Sequence, residues 1–513
     1  MNIVYAVKIF AALAIVLGVM RLVLGDSLRV VATTSDWRAG WTTILGTLFV
    51  SCFSWKVPLF FVVFSAWALY VPRLFGKDGQ GRLPAYALLA CVSPQFAMEL
   101  ENIGPIQDVL SLNVYRILAI FILLPEAFRL IARREREPRP SWFVLTDLAM
   151  FGYFAYWTLY LFGHRNATTL VREGAGVFLD YVLPYYVVSR ACISHELRQR
   201  VMAMVLFGAA YEAMVGLFEA VSRHFLYAQL QYLYGARWSM LEGLTRGWLV
   251  RAQAGFGGPL VLAVLLVFGI GIWLALKPVA KSRPYALLGA VLLAGLVATL
   301  SRGPILAYLV LAGGLVALRF ISAPKLLLTS LALALVVAGT WNLGLGEFVV
   351  GLINSLSGGD RTADFNVAYR EELLKTSIAL IKQSPWFGVP NYIQEMESLR
   401  QGEGIIDLVN TYLVVTLNVG LVGLALFLLP FLVTLWKLAT SLSEESYALR
   451  RETLVWIPLT LAIMVTVFTV SPVSIIRSIL VWVVAFAVAM LRERAPARAS
   501  MRPAPSLMAA GGA

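Results

Sequence analysis

The chain has 513 residues, of which 59% are hydrophobic and only 14% are charged. Soluble globular proteins average about 25% charged and 45–50% apolar residues, so this composition excludes an ordinary soluble protein. The formal net charge is +13. In a membrane chain such an excess is typical of the cytoplasmic loops that orient the helices, and we therefore expect no nucleic-acid partner.

Fourteen apolar runs, separated by charged or Gly/Pro-rich breaks, are candidate membrane spans. In chain order they are Ile3 to Gly25, Thr42 to Val71, Leu83 to Phe96, Leu110 to Leu130, Trp142 to Phe162, Ala175 to Val188, Val201 to Val221, Phe256 to Leu276, Tyr285 to Leu300, Ile305 to Leu318, Leu326 to Leu343, Ile406 to Trp436, Leu454 to Val470 and Ile475 to Leu491. The first run lacks a small-residue cleavage site after a short core, which favours a retained span over a signal peptide.

The pattern predicts an all-α polytopic membrane protein with about 12–14 transmembrane helices. One transmembrane domain covers residues 1–491 and includes the long loops 222–255 and 344–405. Residues 492–513 are rich in Ala, Pro and Arg and predict a disordered basic tail.

The Lys/Arg bias of the short loops predicts that both the N- and the C-terminus are cytoplasmic. If the N-terminus is cytoplasmic and every apolar run crosses the membrane, the loops alternate between the two sides. The basic clusters then lie inside the cytoplasm, and the two long loops lie outside it. The cytoplasmic clusters are Arg133/Arg134/Arg136/Arg139, Arg190/Arg198/Arg200, Lys277/Lys281/Arg283, Arg319/Lys325, Lys437/Arg450/Arg451 and Arg492/Arg494/Arg498/Arg502.

Known soluble-enzyme motifs are absent from the sequence: there is no P-loop, no dinucleotide-binding fingerprint and no nucleophile elbow. The three cysteines, Cys52, Cys91 and Cys192, have neither a pairing pattern nor metal-ligand spacing. The three histidines are more typical of solvated or satisfied side chains than of ligands. We therefore expect no metal site and no cofactor.

Arginines at the outer membrane face are the candidate chemistry. The planar guanidinium matches phosphate oxygens, so several that converge would hold a pyrophosphate. The alternative is snorkelling of single arginines to lipid headgroups. Arg302 is the strongest candidate, because the four-residue turn Ser301 to Pro304 has no need of a charge. The other outer-face arginines are Arg116, Arg246, Arg251, Arg361, Arg370 and Arg477.

Acids are rare within the spans. Glu212 and Glu219 lie seven residues apart on one helical face, where they could pair with arginine or accept protons. Asp180, near Pro184, is a similar candidate. A structural ion pair is at least as good an interpretation for each of these acids.

The second long loop contains a helical pattern from Asp364 to Ser384 with a polar face, which ends at Pro385. A helix there would lie across the mouth of the bundle like a lid. The aromatic turn Trp386 to Pro390 follows, and its rings would either anchor at the interface or stack on sugars.

The ordered motifs of this region resemble the bacterial O-antigen polymerase and ligase family. The resemblance runs from about Arg246 to Phe431. It rests on Arg251 with Phe256-Gly257-Gly258-Pro259, on Ser301-Arg302-Gly303-Pro304, on Arg370 to Val389, on Val409-Asn410-Thr411-Tyr412-Leu413 and on Gly420 to Phe427.

The resemblance implies a metal-independent glycosyltransferase of the bacterial inner membrane that uses undecaprenyl-pyrophosphate-linked oligosaccharide on the periplasmic side. Arg251, Arg302 and Arg370 match the family arginines, and Arg246 is expected to join them. Membrane lipids, a chain-length regulator and a flippase are the expected partners.

One position departs from the family pattern, because Val409 stands where a histidine often precedes the asparagine. Valine cannot accept a proton, so Asp407, Glu403 or Glu219 is the hypothetical base, or the reaction depends on stabilising the leaving group. Asn410, Tyr412, Arg116 and Arg477 complete the candidate binding residues.

The missing histidine favours a polymerase of O-antigen or exopolysaccharide repeats. Ligation of finished glycan to a lipid A core or a protein, and transport by a lipid-linked saccharide flippase, are the alternatives.

Overall fold

The computed structural model describes residues 3–76, 79–100, 110–133, 140–162, 167–234, 245–246, 249–276, 283–320, 361–400, 406, 408, 410–442 and 447–493. Of these described residues, 83% are helical. By length and apolar composition, five helices could each cross a membrane, and four shorter apolar helices accompany them in the described part of the chain. The protein is therefore an all-α polytopic membrane protein, as predicted, while the count of 12–14 crossings stays a prediction.

In the described residues of the first half of the chain there are eleven α-helices and one hairpin. They are α1 (Ile3–Val31), α2 (Thr34–Phe53), α3 (Val57–Leu74), α4 (Arg82–Val92), β1 (Ala97–Leu100), β2 (Leu110–Asn113), α5 (Val114–Leu118), α6 (Leu124–Ala132), α7 (Ser141–Phe162), α8 (Ala167–Val177), α9 (Leu183–Ala191), α10 (His195–Ser222) and α11 (Ala228–Tyr234). A π-helical turn joins α5 to α6 at Ala119–Leu123, and a second joins α8 to α9 at Phe178–Val182.

The described part of the second half contains a short hairpin and the helices that carry the motifs of the outer loops. They are β3 (Thr245–Arg246), β4 (Leu249–Val250), α12 (Pro259–Ala275), α13 (Arg283–Ala298), α14 (Arg302–Ala317), α15 (Arg361–Gln383), α16 (Tyr392–Glu395), α17 (Thr411–Ser441), α18 (Tyr447–Val467) and α19 (Ile475–Glu493). Helix α15 confirms the predicted lid helix, although the side chains of its first eight residues are not described.

The centre of the bundle is made by α10, α12 and α19, whose side chains are buried on nearly every face. A helix that is apolar all round belongs in such a position, because it has no polar stripe to present to water. The outer helices α1 and α3 instead expose large apolar side chains, among them Leu22 and Val62. In a membrane these exposed side chains contact lipid, which is why they need no protein cover.

The two ends of the bundle differ in chemistry. We call the end that contains Arg190, Arg198, Arg200 and Glu493 the basic face, and the opposite end the site face. Arg198 donates to Glu493 at 2.8 Å, so the start of α10 and the end of α19 share the basic face.

The predicted span Thr42 to Val71 is wrong, because it is two antiparallel helices separated at Ser54–Lys56. Trp55 has a left-handed φ of 60° in this break, and Pro58 lies in the first turn of α3. The charged Lys56 and the proline were the available sequence signals for a turn.

This extra helix also changes the predicted course of the N-terminal part. Arg200 binds Asp36 of α2 at 2.7 Å, and Trp37 donates to the carbonyl of Gly25 at the end of α1. The C-terminal end of α1 therefore lies at the basic face, and α1 begins at the site face. The start of α1 and the end of α19 thus lie at opposite ends of the bundle, whereas the Lys/Arg pattern predicts them on one side; the side of the membrane on which each terminus lies stays a prediction.

The other predicted spans correspond to helices with shifted ends. The run Leu110 to Leu130 begins as strand β2 before it becomes helical, because Leu110–Asn113 pairs with Ala97–Leu100. The predicted disordered tail is 492–513, but Arg492 and Glu493 end α19, and its remaining residues 494–513 lie outside the described residues. The predicted span Leu326 to Leu343 and much of loop 344–405 also lie outside them.

Candidate functional site

Arg251 is bound to the turn that joins α13 and α14. Its Nε donates to the carbonyl of Thr299 and its Nη2 donates to Ser301 Oγ, both at 3.2 Å. The backbone N–H of Ala252 donates to the carbonyl of Ala298 at 3.1 Å. The structure thus brings together two motifs that are about 50 residues apart in the sequence, with Arg251 directly beside the residue that precedes Arg302.

Two buried carboxylates of α10 hold the segment that follows Arg251. Glu219 Oε2 accepts hydrogen bonds from the backbone N–H groups of Gln253 and Ala254 at 2.9 and 2.8 Å. Glu212 Oε2 accepts one from Gly255 at 2.9 Å. Both acids are fully buried. Their hydrogen bonds fix the position of residues 251–255, which we call the arginine loop.

Arg302 is the first residue of α14 and is half-buried. Its Nε is buried without a hydrogen-bond partner, and no hydrogen bond or ion pair joins the side chain of Arg302 to another described residue. An unsatisfied buried donor costs about 1–3 kcal/mol. The first backbone N–H groups of a helix also lack partners within the helix and favour anions. The charge of Arg302 and the helix terminus therefore lie together, in an arrangement that favours anions.

Non-glycine residues with left-handed backbone lie close to three of the site arginines. Leu300 (φ 49°) precedes Arg302, Ala254 (φ 48°) follows Arg251, and Ser474 (φ 54°) precedes Arg477. Such conformations are costly for residues with a Cβ and persist where the surrounding contacts impose them. Here they turn the chain so that arginines at the starts of helices face the same end of the bundle.

The loop between α18 and α19, residues 468–474, connects the parts of the site; we call it the linking loop. Thr411 Oγ1 donates to the carbonyl of Val470 at 2.6 Å, and Ser471 Oγ donates to the carbonyl of Leu408 at 2.7 Å. A Cβ at Gly303 would lie only 2.1 Å from Thr469 Oγ1, so glycine is required next to Arg302. The linking loop therefore contacts the starts of both α14 and α17.

Arg116 and Arg477 converge on one carboxylate. Arg116 binds Asp180 through Nε and Nη2 at 3.1 and 3.0 Å, and Arg477 Nη1 binds Asp180 Oδ2 at 2.7 Å. Arg477 Nε also donates to the carbonyl of Pro472 in the linking loop at 2.7 Å. The sequence singled out all three residues, but separations of 64 and 297 residues gave no sign that they meet.

Asn410 and Tyr412 have structural contacts at the start of α17. Asn410 Oδ1 accepts from the backbone N–H groups of Tyr412 and Leu413, which makes Asn410 the N-cap of the helix. The hydroxyl of Tyr412 donates to the carbonyl of Met464 at 2.6 Å. Asp407, Glu403 and Val409 lie outside the described residues, and so do the side chains of Arg246 and Arg370.

The lid helix α15 packs on the outer part of α17 through a small separate core. The core contains Leu373, Leu380, Tyr392, Met396, Leu408 and Leu417. The exposed acids of this region form local ion pairs, Glu371 with Lys375 at 2.8 Å and Glu397 with Arg400 at 2.6 Å. Hydrogen bonds to these cations lower the pKa of both carboxyls, which makes them weak bases.

The aromatic turn after α15 is inserted into a kink of α17. Gly388 (φ 81°) and Gly420 (φ 66°) have left-handed backbone, and a Cβ on Gly420 would lie 2.1 Å from the carbonyl oxygen of Trp386. Leu421 and Val422 donate their N–H groups to the carbonyls of Pro385 and Trp386, and Val389 donates to the carbonyl of Leu417.

These bonds replace the helical ones that the kink breaks, as an apolar environment demands. We call this contact the turn–kink junction. Two motifs of the resemblance, Ser384 to Val389 and Gly420 to Phe427, therefore form one structural unit.

The described part of the chain contains no group of three His, Cys, Asp or Glu side chains that could hold a metal ion. The site face instead collects fixed positive charge on Arg251, Arg302 and Arg477, next to the starts of α14 and α19. Such a surface can bind phosphate groups and stabilise negative charge that develops on a leaving group.

The fold is that of a polytopic helical membrane protein, with Arg251 and Arg302 close together at one end of the bundle. Residues 286–428 match the model of a family described as O-antigen ligase. This match confirms the resemblance to the O-antigen polymerase and ligase family and supports, at a coarse level, a role in O-antigen processing. The matched region includes Arg302, the lid helix and the turn–kink junction, whereas Arg251, Arg116 and Arg477 lie outside it.

A comparison with curated proteins gave no match.

Proposed function

We propose that the protein polymerises undecaprenyl-pyrophosphate-linked oligosaccharide repeats, of O-antigen or exopolysaccharide, at the periplasmic face of the bacterial inner membrane. The observation that carries this proposal is Arg302: a half-buried arginine at a helix start, beside Arg251, with no side-chain hydrogen bond or ion pair to another described residue. The match of residues 286–428 to the O-antigen ligase family supports the class of substrate.

In the reaction, a hydroxyl oxygen of the acceptor sugar attacks the anomeric carbon of the donor sugar. The bond from that carbon to the pyrophosphate oxygen breaks, and undecaprenyl pyrophosphate leaves with the electron pair. The hydroxyl proton passes to a base, or to the departing pyrophosphate. Arg302 and Arg251 neutralise the charge that develops on the leaving group, and preorganised donors of this kind supply a large part of many rate enhancements.

Glu219 is better suited to positioning than to proton transfer. Its Oε2 accepts two backbone N–H groups of the segment after Arg251, and it is fully buried in α10. We infer that Glu219 and Glu212 fix the arginine loop, while Asp407 and Glu403 are the remaining hypotheses for a base. Val409 in place of histidine favours a mechanism that depends mainly on leaving-group stabilisation, and with it polymerisation over ligation.

A flippase for the same lipid-linked saccharide would need polar groups free to contact it on both faces. The buried arginines of the basic face are instead matched with acids, as in the contacts of Arg198 with Glu452 and Glu493. The unpaired arginine lies at the site face. This asymmetry supports an enzyme that acts on one side of the membrane.

The excess of Lys and Arg at the basic face indicates that this face is cytoplasmic. The site face, the lid helix and the start of α1 are then periplasmic.

The test is gel analysis of surface and lipid-linked glycan in a deletion strain of the source bacterium, complemented with wild type, Arg302→Ala or Arg319→Ala. Arg319, exposed near the basic-face end of α14, is the matched control. Polymerisation would be supported if the deletion strain carried single repeats on its outer-membrane lipid and no long chains. Wild type and Arg319→Ala should then restore the long chains, and Arg302→Ala should not.

Other patterns would replace the proposal. Long chains that stay on the undecaprenyl carrier would mean ligation. Lipid-linked repeats trapped on the cytoplasmic face would mean a flippase, and normal polymer from Arg302→Ala would overturn the anion site itself.

A further inference from the structure

The cluster of Arg116, Asp180 and Arg477 has one more positive than negative charge. The exposed fractions of the side chains are 11% for Arg116, 4% for Asp180 and 33% for Arg477. Asp180 is therefore enclosed, while part of Arg477 remains accessible. Among the described residues, Asp180 is the only acid that pairs with either arginine.

Arg477 can bind a ligand without leaving Asp180 unsatisfied. Arg116 alone occupies both carboxylate oxygens of Asp180, through Nε and Nη2. Arg477 contacts Asp180 only through Nη1, and its Nη2 makes no hydrogen bond to a described residue. The cluster thus offers an oriented donor and a net positive charge to a phosphate.

The helices are shaped around this cluster. Arg116 lies in α5, which leads directly into one π-helical turn at Ala119–Leu123, and Asp180 lies within the other. π-helical turns are rare and occur frequently at functional sites. A Cβ on Gly176 would lie 2.6 Å from Arg116 Nη2, so the absence of a side chain there makes room for the guanidinium.

An apolar crevice begins about one helical turn below Arg477, toward the middle of the bundle. Leu480 and Val481 of α19, Tyr181 next to Asp180, Phe154 of α7 and Phe427 of α17 line it. The crevice and the cluster therefore share two segments, α19 and the second π-helical turn. The crevice is small, but its lining gives the charged cluster an apolar neighbour on the side toward the middle of the bundle.

We propose that this cluster binds the pyrophosphate of a second polyprenyl-linked saccharide, the acceptor. This assignment rests on the proposed function, in which Arg251 and Arg302 hold the donor. Both substrates then carry the same head group, each on its own arginine site. The linking loop contacts both sites, at Gly303 through Thr469 and at Arg477 through Pro472.

The two sites have different tasks. At the donor site the bond between the anomeric carbon and the pyrophosphate oxygen breaks, so Arg302 acts on the reaction rate. At the acceptor site the corresponding bond between sugar and pyrophosphate stays intact, so Arg477 only positions the lipid whose sugar hydroxyl attacks. After each transfer the lengthened glycan is on the acceptor carrier, while the donor carrier leaves as free undecaprenyl pyrophosphate.

The test measures how many molecules of farnesyl pyrophosphate the full-length protein binds in lipid nanodiscs. We expect two per chain for wild type and one each for Arg477→Ala and Arg302→Ala. Arg492→Ala, at the basic-face end of α19, is the matched control and should bind two. Arg477→Ala leaves Asp180 paired with Arg116, so the variant is expected to fold; a melting temperature within a few degrees of wild type would verify this.

The outcomes separate this inference from the proposed function. Two molecules bound by Arg477→Ala would overturn the second site while leaving the donor site intact. If Arg302→Ala bound two molecules and Arg477→Ala bound one, the assignment of Arg302 to a donor site would be wrong instead.

A second arm uses inorganic pyrophosphate as the competitor. If it competed at the Arg477 site as strongly as farnesyl pyrophosphate, the site would take a free anion and the lipid assignment would be wrong. We expect the prenyl chain to strengthen binding there at least tenfold, because its burial adds apolar contact.

Discussion

The basic face and the site face use arginine in opposite ways. At the basic face Arg198 is fully buried and bound to Glu452 and Glu493, while Arg200 is bound to Asp36 and Arg190 to Asp147. At the site face Arg302 has a buried Nε without a partner. A matched arginine joins helices and has little capacity left for a ligand. An unmatched one costs stability, and such a cost is typical of a residue kept for binding or catalysis.

The largest effect is expected from Arg198→Ala, and it is on stability. The substitution leaves Glu452, which is 2% exposed, without its main cation. Removing one partner of a buried ion pair typically costs about 3–5 kcal/mol. We expect a strong loss of folded protein and of melting temperature, measured by fluorescence-detected size-exclusion chromatography on heating. Unchanged stability would remove the architectural role assigned to the basic face.

Arg302→Ala should have the opposite profile. We expect the rate of glycan transfer to fall about 100- to 1000-fold, as on loss of a preorganised donor to a developing negative charge. Its melting temperature should be equal to or above that of wild type, because an unsatisfied buried donor is removed. Transfer measured with purified protein and lipid-linked repeats, beside Arg319→Ala, checks both. A large loss of stability would show that Arg302 is structural, and the contrast between the faces would fail.

Gly420→Ala tests whether the turn–kink junction supports the site. A Cβ at a left-handed backbone position costs about 1–2 kcal/mol, and here it would also meet the carbonyl of Trp386. We expect the turn to separate from α17, with faster protease cleavage near residues 384–390 and about tenfold lower transfer. Gly313→Ala is the matched control, since a Cβ there meets no atom within 4 Å. Equal cleavage of the two variants would show that the turn is held by other contacts.

The smallest effect is expected from Glu219→Gln. The amide oxygen can still accept from the N–H groups of Gln253 and Ala254, so a positioning residue should lose less than tenfold in rate. A general base would lose about 100-fold or more on the same change. Comparing Glu219→Gln with Asp407→Asn under saturating substrate would therefore separate a positioning role from proton transfer.

The sequence was sufficient for features that depend on local composition. Apolar runs located most of the helices, the 3.6-residue period located the lid helix, and the unneeded charge in the turn Ser301 to Pro304 drew attention to Arg302. The break between α2 and α3 was missed because continuous hydrophobicity outweighed Lys56 and Pro58. That one error reversed the expected direction of α1.

Features that depend on long-range contact could not be predicted from the sequence. Nothing local states that Arg116 and Arg477 share Asp180, or that Glu219 binds the backbone after Arg251. The turn–kink junction was visible only as two separate motifs. The two motifs are joined by main-chain hydrogen bonds, which do not depend on side-chain identity. Gly388 and Gly420 are therefore the only clear signs of the junction in the sequence.

The turn–kink junction also constrains how the chain is made and recombined. The turn at residues 385–389 is synthesised before α17, so on a periplasmic site face it has already crossed the membrane when the kinked helix is inserted. The helix can then receive its missing main-chain partners as it enters, rather than carry unpaired peptide groups through lipid. Chimeras between related chains should therefore exchange the outer loop and α17 together. A hybrid that takes only one of them would combine a turn and a kinked helix that come from different chains.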